Sequence, residues 1–478
     1  MKQMQGLDAA FVAFERPNAP LHIASTIIYD PSTAPNGFVR FKDILRFIES
    51  RIHLAPSMRQ RMVRVPFGID YPYWIEDPDF DIEYHVRHAA LPKPGDWRQL
   101  NILAARNFSR PLDLSRPPWE ILVVEGLEKI PGVPKGAYAL MTKVHHSAID
   151  GASGVDLMHA LHTLSPEPEE QKRKPRWRPD RVPNQFGLFA KGYARSFTIP
   201  LRQIRALATT APGLAKVAVG TAKGDYSLKD VMSTPRTRFN DAVSPHRVVD
   251  GRNFKLADIK AIRKLADGAT VNDVMLSIVG GAMRKYLLAK DELPEETLAA
   301  FAPISVRDEK ERNTMGNQVA AMRAPLGSHL DDVVERLQFV QAETKKSKSV
   351  TNAVGARKMT EISKNNPALY LGLGARLFSQ FGLANRMKPF FNTIVTNVPG
   401  PPVPIYSAGA RMVTIYGMVC LIDGMGLGHV VHSYCDDITV TATADREAMP
   451  DPEFYSKCLQ DSFDEHLAAV KEAAGEAA

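Results

Sequence analysis

Cysteine is scarce: the 478-residue chain has three, Cys420, Cys435 and Cys458, and no pair stands at CxxC spacing. Three late, separated thiols argue against a disulfide framework and a cysteine-rich metal site, and they fit a reducing cytoplasm. No apolar run approaches the roughly 18–20 residues needed to span a bilayer. The N-terminal stretch MKQMQGLDAAFVAFERPN lacks the unbroken apolar core of a signal peptide, because Asp8 and Glu15 interrupt it. Also missing are HExxH, a true GxSxG elbow and any internal repeat, which weakens the case for a zinc protease or a serine hydrolase.

What is present is an ordinary globular composition, 44% hydrophobic and 24% charged. The length exceeds one simple core and predicts two domains. The net charge of +7 is unevenly spread, since eleven Lys/Arg face only Asp180 between Gln171 and Gly220. With Trp177, Phe186, Phe189, Tyr193 and Phe197 interspersed, such a segment suits nucleic acid, anionic lipid or a polyphosphorylated cofactor, and equally a solvated linker. The best boundary is LSPEPEEQKRKPRWRPDRVPNQ, residues 164–185, where five prolines disfavour helix and buried strand. Amphipathic helix broken at Pro200 and Pro212 is expected after it. The expected division is an N-terminal domain over 1–165, a basic connector over 166–245 and a C-terminal domain over 246–478.

In the first half, FKDILRFIESRI (41–52) has helical apolar spacing, whereas WEILVVEGL (119–127) and AYALMTKV (137–144) read as strands. The second strand runs into HHSAIDG, and GASGVDLMHALHTL (151–164) then begins a helix. In the second half, LADIKAIRKLADG (256–268) predicts a helix closed by Gly268. ATVNDVMLSIVGGAMRKYLL (269–288) predicts another, with Thr270 as N-cap and Asp273 at the capping-box position. Strands are expected at 298–306, 390–398, 430–436 and 438–444. The alternation predicts a mixed α/β architecture with one sheet and its helices in each half.

Three chemistries compete for the histidine pair. A metal site needs about three convergent ligands, but adjacent strand residues point to opposite faces. His159 and His162 form an HxxH on the next helix, for which two satisfied helix histidines are the better account. A serine triad is poorly served, because Val155 occupies the place of the second glycine in GASGV. A neutral imidazole acting directly can take the proton from an alcohol that attacks an activated carbonyl. Asp150 and Gly151 would then shape the turn into the helix. On the residues alone, a structural pair and a catalytic base both stay open.

HHSAIDG fits the HHxxxDG signature of the chloramphenicol-acetyltransferase-like superfamily. PLDLSRPPWE (111–120) resembles the PLDxxRPLW block of bacterial wax ester synthase/diacylglycerol acyltransferases. ERPNAPLHIAS (15–25), VNDVMLSIVGGAMRKYL (271–287), PISVR (303–307), GNQVA (316–320) and TNVPGPPVPIY (396–406) resemble further blocks of that family in order, almost end to end. Pro118 stands where leucine is usual and Leu21 where methionine is usual. Both departures bear on acyl-chain or alcohol preference.

The resemblance implies two chloramphenicol-acetyltransferase-like subdomains, each a mixed sheet with flanking helices, and a substrate tunnel between them. It implies His146 as general base for attack of a long-chain alcohol or diacylglycerol on acyl-CoA, giving a wax ester or triacylglycerol. His145 is expected to orient, and Asp150 with Gly151 to hold the loop. Asn272 would donate to the developing oxyanion or to substrate, although it equally suits a helix start. Glu15 aligns near the site and equally fits a surface residue before Pro17. Trp119 is expected to pack beneath the site, and Arg307 to make a structural ion pair or, as the alternative, to meet a CoA phosphate. No metal or cofactor is expected, acyl-CoA being a co-substrate, and no nucleic acid. Water-insoluble substrates imply a peripheral position at the inner membrane or a lipid droplet, with residues 186–220 on the interface. The competing class is a condensation-like acyltransferase that takes its acyl group from a carrier protein.

Overall fold

The computed structural model describes residues 1–475 except 5, 150, 168–178, 197–232, 306–318 and 355–387. Of the sequence expectations, Asp150, Arg307 and most of the basic connector lie outside the described residues.

The first half supplies strands β1 (His22–Asp30), β2 (Val86–Ala90), β3 (Trp119–Glu125) and β4 (Tyr138–His145). The second supplies β5 (Arg247–Lys255), β6 (Ala299–Ser305), β7 (Val319–Pro325), β8 (Thr393–Pro399), β9 (Tyr406–Ser407), β10 (Ala410–Met418), β11 (Leu427–Tyr434) and β12 (Asp437–Asp445). They build two six-stranded sheets, in the orders β9-β10-β1-β4-β3-β2 and β7-β6-β8-β11-β12-β5. Both are mixed: β2 runs parallel to β3, and β8 parallel to β6 and β11. A small third sheet joins Lys2–Gln3, Tyr73–Glu76 and Gln60–Val63.

Sheet membership departs from a division by chain halves at one point. After β8 the chain crosses over, and β9 and β10 join the first sheet, with β10 antiparallel to β1. Prolines 399, 401, 402 and 404 cannot donate to a ladder, so the chain leaves one sheet there. β10 then packs across β11 and β12, where Thr439 Oγ1 donates to Ile415 O at 2.6 Å. Gly417 permits this approach: a Cβ there would lie 2.6 Å from His432 Cε1 and from Val430 Cγ1.

Helices α1 (Gly6–Phe14), α2 (Phe41–Arg51), α3 (Trp97–Ser109), α4 (Gly151–Leu161) and α5 (Gln185–Ser196) belong to the first half. In the second are α6 (Leu256–Ile262), α7 (Val271–Leu288), α8 (Val333–Val354) and α9 (Pro452–Ala473). α2 buries Ile44 and Ile48 against one face of the first sheet, and α3 buries Leu100, Ala104 and Phe108 against the other. α6 stops short of the expected helix, continuing as a 3-10 turn over Arg263–Leu265. α7 is capped as expected: Thr270 and Asp273 bond reciprocally, and Asp273 Oδ1 also accepts Thr344 Oγ1 at 2.7 Å. This helix is buried on nearly every side, as befits the centre of a core. Gly280 is required there, because a Cβ would fall 2.0 Å from Leu326 O.

Candidate active site

Strand β4, inside the first sheet, ends at His145, with His146 next in the chain. Ladder pairing ends at His22–His145 and Trp119–Val144, and the chain turns through a 3-10 segment, His146–Ala148, towards α4. Adjacent residues at a strand end face opposite ways, so the two rings meet different surroundings.

His145 is fully buried. Its Nδ1 accepts the Ser147 backbone N–H at 3.2 Å and lies 2.6 Å from Ser147 Oγ. A backbone N–H can only donate, so Nδ1 is the acceptor here and Nε2 is left to carry a proton. That nitrogen lies 3.4 Å from Glu15 Oε1, off the hydrogen-bond direction. Glu15 Oε1 also accepts the Leu21 N–H at 3.3 Å. Among the described residues Glu15 therefore meets the pair through His145 and not through His146.

His146 is tied down by its backbone, whose N–H donates to Leu21 O at 2.9 Å. Its ring stacks on Phe11 of α1, centroids 3.9 Å apart and planes at 11°. Nδ1 is buried with no hydrogen-bond partner among the described residues, while the residue as a whole stays partly exposed. Burial pushes its pKa down to about 4, with a smaller push from His145. At neutral pH the imidazole is uncharged and has a lone pair to offer.

The segment bearing Glu15 is pinned by the second half. Arg16 pairs with Asp423 at 2.8 Å, Asn18 Nδ2 donates to Val243 O at 2.9 Å, and Arg247 Nη2 donates to Asn18 O at 2.7 Å. Beneath the pair lie buried His22, bonded to Phe108 O at 2.5 Å, and buried Lys143, paired with Glu120. Burial and then the Lys143 charge depress the His22 pKa, so this ring is neutral as well.

The remaining expected residues separate. Gly151 opens α4. Asn272 sits in the first turn of α7, partly exposed, and among the described residues no hydrogen bond joins it to His145, His146 or Glu15. Trp119 lies in the core, its Nε1 donating to Met58 O at 2.7 Å and its ring stacked on His85. His159 is exposed, whereas His162 lies past the helix end and bonds Tyr29 OH at 2.7 Å. They do not converge, and no metal-binding cluster of three or more His, Cys, Asp or Glu occurs among the described residues. Sequence reasoning missed Phe11 and Ser147, whose signals are weak: an apolar residue on a short helix and a serine two places after a histidine.

A neutral, partly open imidazole beside a second ring whose tautomer is fixed is suited to accepting a proton. Among the described residues no serine or cysteine side chain bonds His146, so a nucleophile–base pair is not assembled there.

The chain matches the wax ester synthase/diacylglycerol acyltransferase catalytic domain over residues 4–275 and the WS/DGAT C-terminal domain over residues 315–466. A putative diacylglycerol O-acyltransferase of Mycobacterium tuberculosis (strain H37Rv) is 32% identical over 473 residues, covering 98% of this chain and 100% of the relative. One of Mycobacterium bovis is 31% identical over 466 residues, covering 97% and 98%. The fold is similar to that of the wax ester synthase/diacylglycerol acyltransferase from Marinobacter aquaeolei VT8, with a TM-score of 0.68, 23% identity, and 99% and 100% of the two chains covered. It is also similar to a starter condensation domain of rhizomide synthetase solved with C8-CoA, at a TM-score of 0.55, 12% identity, and 98% and 94% covered.

Proposed function

The chain belongs to the wax ester synthase/diacylglycerol acyltransferase family, and on that premise we propose that it moves a long-chain acyl group from acyl-CoA to the hydroxyl of a fatty alcohol or diacylglycerol, with His146 as base. The observation that carries this reading is the neutral imidazole, whose buried Nδ1 has no hydrogen-bond partner among the described residues. As the alcohol oxygen bonds to the thioester carbon, a nitrogen of His146 takes the hydroxyl proton. The C–S bond then breaks, and the imidazolium returns that proton to the departing thiolate of CoA. A pKa of about 4 makes the ring a weak base but its conjugate acid a strong donor to sulfur. His145, its tautomer set by Ser147 and its Nε2–H facing Glu15, supports the turn that aims His146. Asp150 and Gly151 shape that turn, and Asn272 offers its amide to the oxyanion.

The test is thiol release from palmitoyl-CoA with hexadecanol or dioleoylglycerol as acceptor. His146→Ala is expected to lower kcat by about 100-fold or more with the protein still folded. Acceptor-dependent release that survives the substitution would reject the mechanism.

The substrates imply work at a lipid surface. No helix among the described residues is long and apolar enough to cross a membrane. α5 is anchored by buried Leu188 against Val63 and Ile75, yet Phe186 is 77% exposed and Phe67, on the neighbouring 3-10 turn, 84%. Phe67 meets Phe189 edge-on at 5.9 Å. Exposed aromatic rings beside Lys191 and Arg195 fit insertion at headgroup depth of an anionic interface.

A further inference from the structure

The PLDLSRPPWE segment folds over the start of β3 and encloses a pocket of about 170 Å³, lined by Tyr84, Arg87, Arg110, Asp113, Trp119 and Glu120 among others. β3 begins at Trp119, cross-strand from Val144, and the His145 N–H donates to Pro118 O at 2.9 Å. The pocket thus lies at the same end of adjacent strands as the histidine turn.

Its carboxylates have partners and its arginines do not form ion pairs among the described residues. Lys143, fully buried, pairs with its cross-strand neighbour Glu120 and donates to Asn107 O and Arg110 O, each at 2.9 Å. Asp113 is satisfied by the Ser115 N–H at 2.9 Å and hydroxyl at 2.7 Å, with Arg116 at 3.9 Å. Arg87 donates to Tyr84 O at 3.3 Å and lies over the Tyr84 ring, while Arg110 donates to Asn107 Oδ1 at 2.9 Å. Among the described residues, neither of these guanidinium groups has an ion-pair partner. Of the charged side chains that line the pocket, Arg87, Arg110, Asp113 and Glu120, the two carboxylates are thus engaged, by Ser115 and Lys143, while neither guanidinium has a carboxylate of its own among the described residues. Burial lowers the Lys143 pKa, Glu120 opposes this, and Arg110 and Arg87 press it further down, so these cations crowd one another. Such a site complements a phosphate monoester, to which arginine offers paired N–H groups.

We propose that this pocket, through Arg87 and Arg110, holds a phosphate of the CoA portion of acyl-CoA while the thioester lies at His146. The assignment rests on the acyl-transfer reading above. One molecule then spans both features, its reacting carbon at the turn and its phosphates at the edge formed by PLDLSRPPWE. The pocket is too small for a whole nucleotide and fits one phosphate with part of its sugar.

The test is the double variant Arg87→Gln/Arg110→Gln, assayed with palmitoyl-CoA and with S-palmitoyl-pantetheine, which has no phosphate. The preference for the CoA thioester, taken as the ratio of kcat/KM values, is expected to fall at least about tenfold, the loss of one or two charge-assisted hydrogen bonds. An unchanged ratio, or an equal loss on both thioesters, overturns the proposal. Calorimetry with free CoA judges the pocket even if the wild type transfers no acyl group: binding lost in the double variant supports it, and equal binding overturns it. Sedimentation with phosphatidate vesicles separates the other source of a phosphate monoester. A double variant that loses vesicle binding but keeps its CoA affinity makes this a headgroup site and also overturns the assignment.

Discussion

Phe11 is the lever on the His146 pKa. The ring lies flat on the imidazole at 3.9 Å and keeps water from that face, and burial is the largest cause of a pKa near 4 in place of the usual 6.5. The displacement corresponds to about 3 kcal/mol in favour of the neutral ring. In the wild type, His146 therefore stays unprotonated through neutral and mildly acid pH, and kcat/KM for acyl transfer is expected to be nearly flat from pH 7.5 to pH 5.5. Phe11→Ala opens one face to solvent. If that restores most of the hydration and the pKa rises to about 6, about one quarter of the rings remain neutral at pH 5.5, and kcat/KM falls about fourfold between those pH values. The assay is ester formation from labelled acyl-CoA, followed by extraction, so that pH does not alter the readout. A wild-type profile that halves near pH 6.5, or a Phe11→Ala profile that superimposes on the wild type, would refute the link between stacking, burial and a neutral base.

Two further substitutions probe the supports. Glu15→Gln keeps an acceptor for the Leu21 N–H but removes the charge facing His145 Nε2; kcat should fall about tenfold with KM little changed, as for other groups that orient a functional histidine, and full activity would assign Glu15 to loop structure alone. Phe67→Ser/Phe186→Ser should weaken sedimentation with anionic vesicles about tenfold or more, since each exposed ring contributes on the order of 1–2 kcal/mol when buried in lipid; equal recovery of variant and wild type would remove the aromatic patch from any lipid contact.

Local chemistry was the legible part of the sequence. Thr270 and Asp273 three residues apart signal a capping box, and the structure forms it. The period-2 run ending in two histidines signals a strand that stops at a turn, and β4 ends at His145. Pairing over long separations was not legible. Nothing within ARMVTIYGM says that it will pair with HIASTIIYD, more than 380 positions earlier, because register depends on which surfaces remain unburied once the second sheet has formed. Glu15 was ambiguous for the same reason. A glutamate before a proline has no local signature of a buried contact, and its meeting with His145 depends on where β1 lies against β4.

The same non-local pairing explains why the site needs both halves. HHSAIDG starts at the end of β4 in the first sheet, yet Glu15 is held through Arg16, Asn18 and their partners Asp423, Val243 and Arg247, which come from the second half, Arg247 opening β5 of the second sheet. β10 adds another tie, since it pairs with β1 on one side and lies against β11 and β12 on the other. β1 carries His22, the ladder partner of His145, so any shift of the second sheet would move Glu15 and β1 together. The imidazole of His146, bonded through its backbone to Leu21 between them, would move as well. The proposed base is thus positioned by the contact between the two sheets, and the strand that crosses over makes that contact covalent.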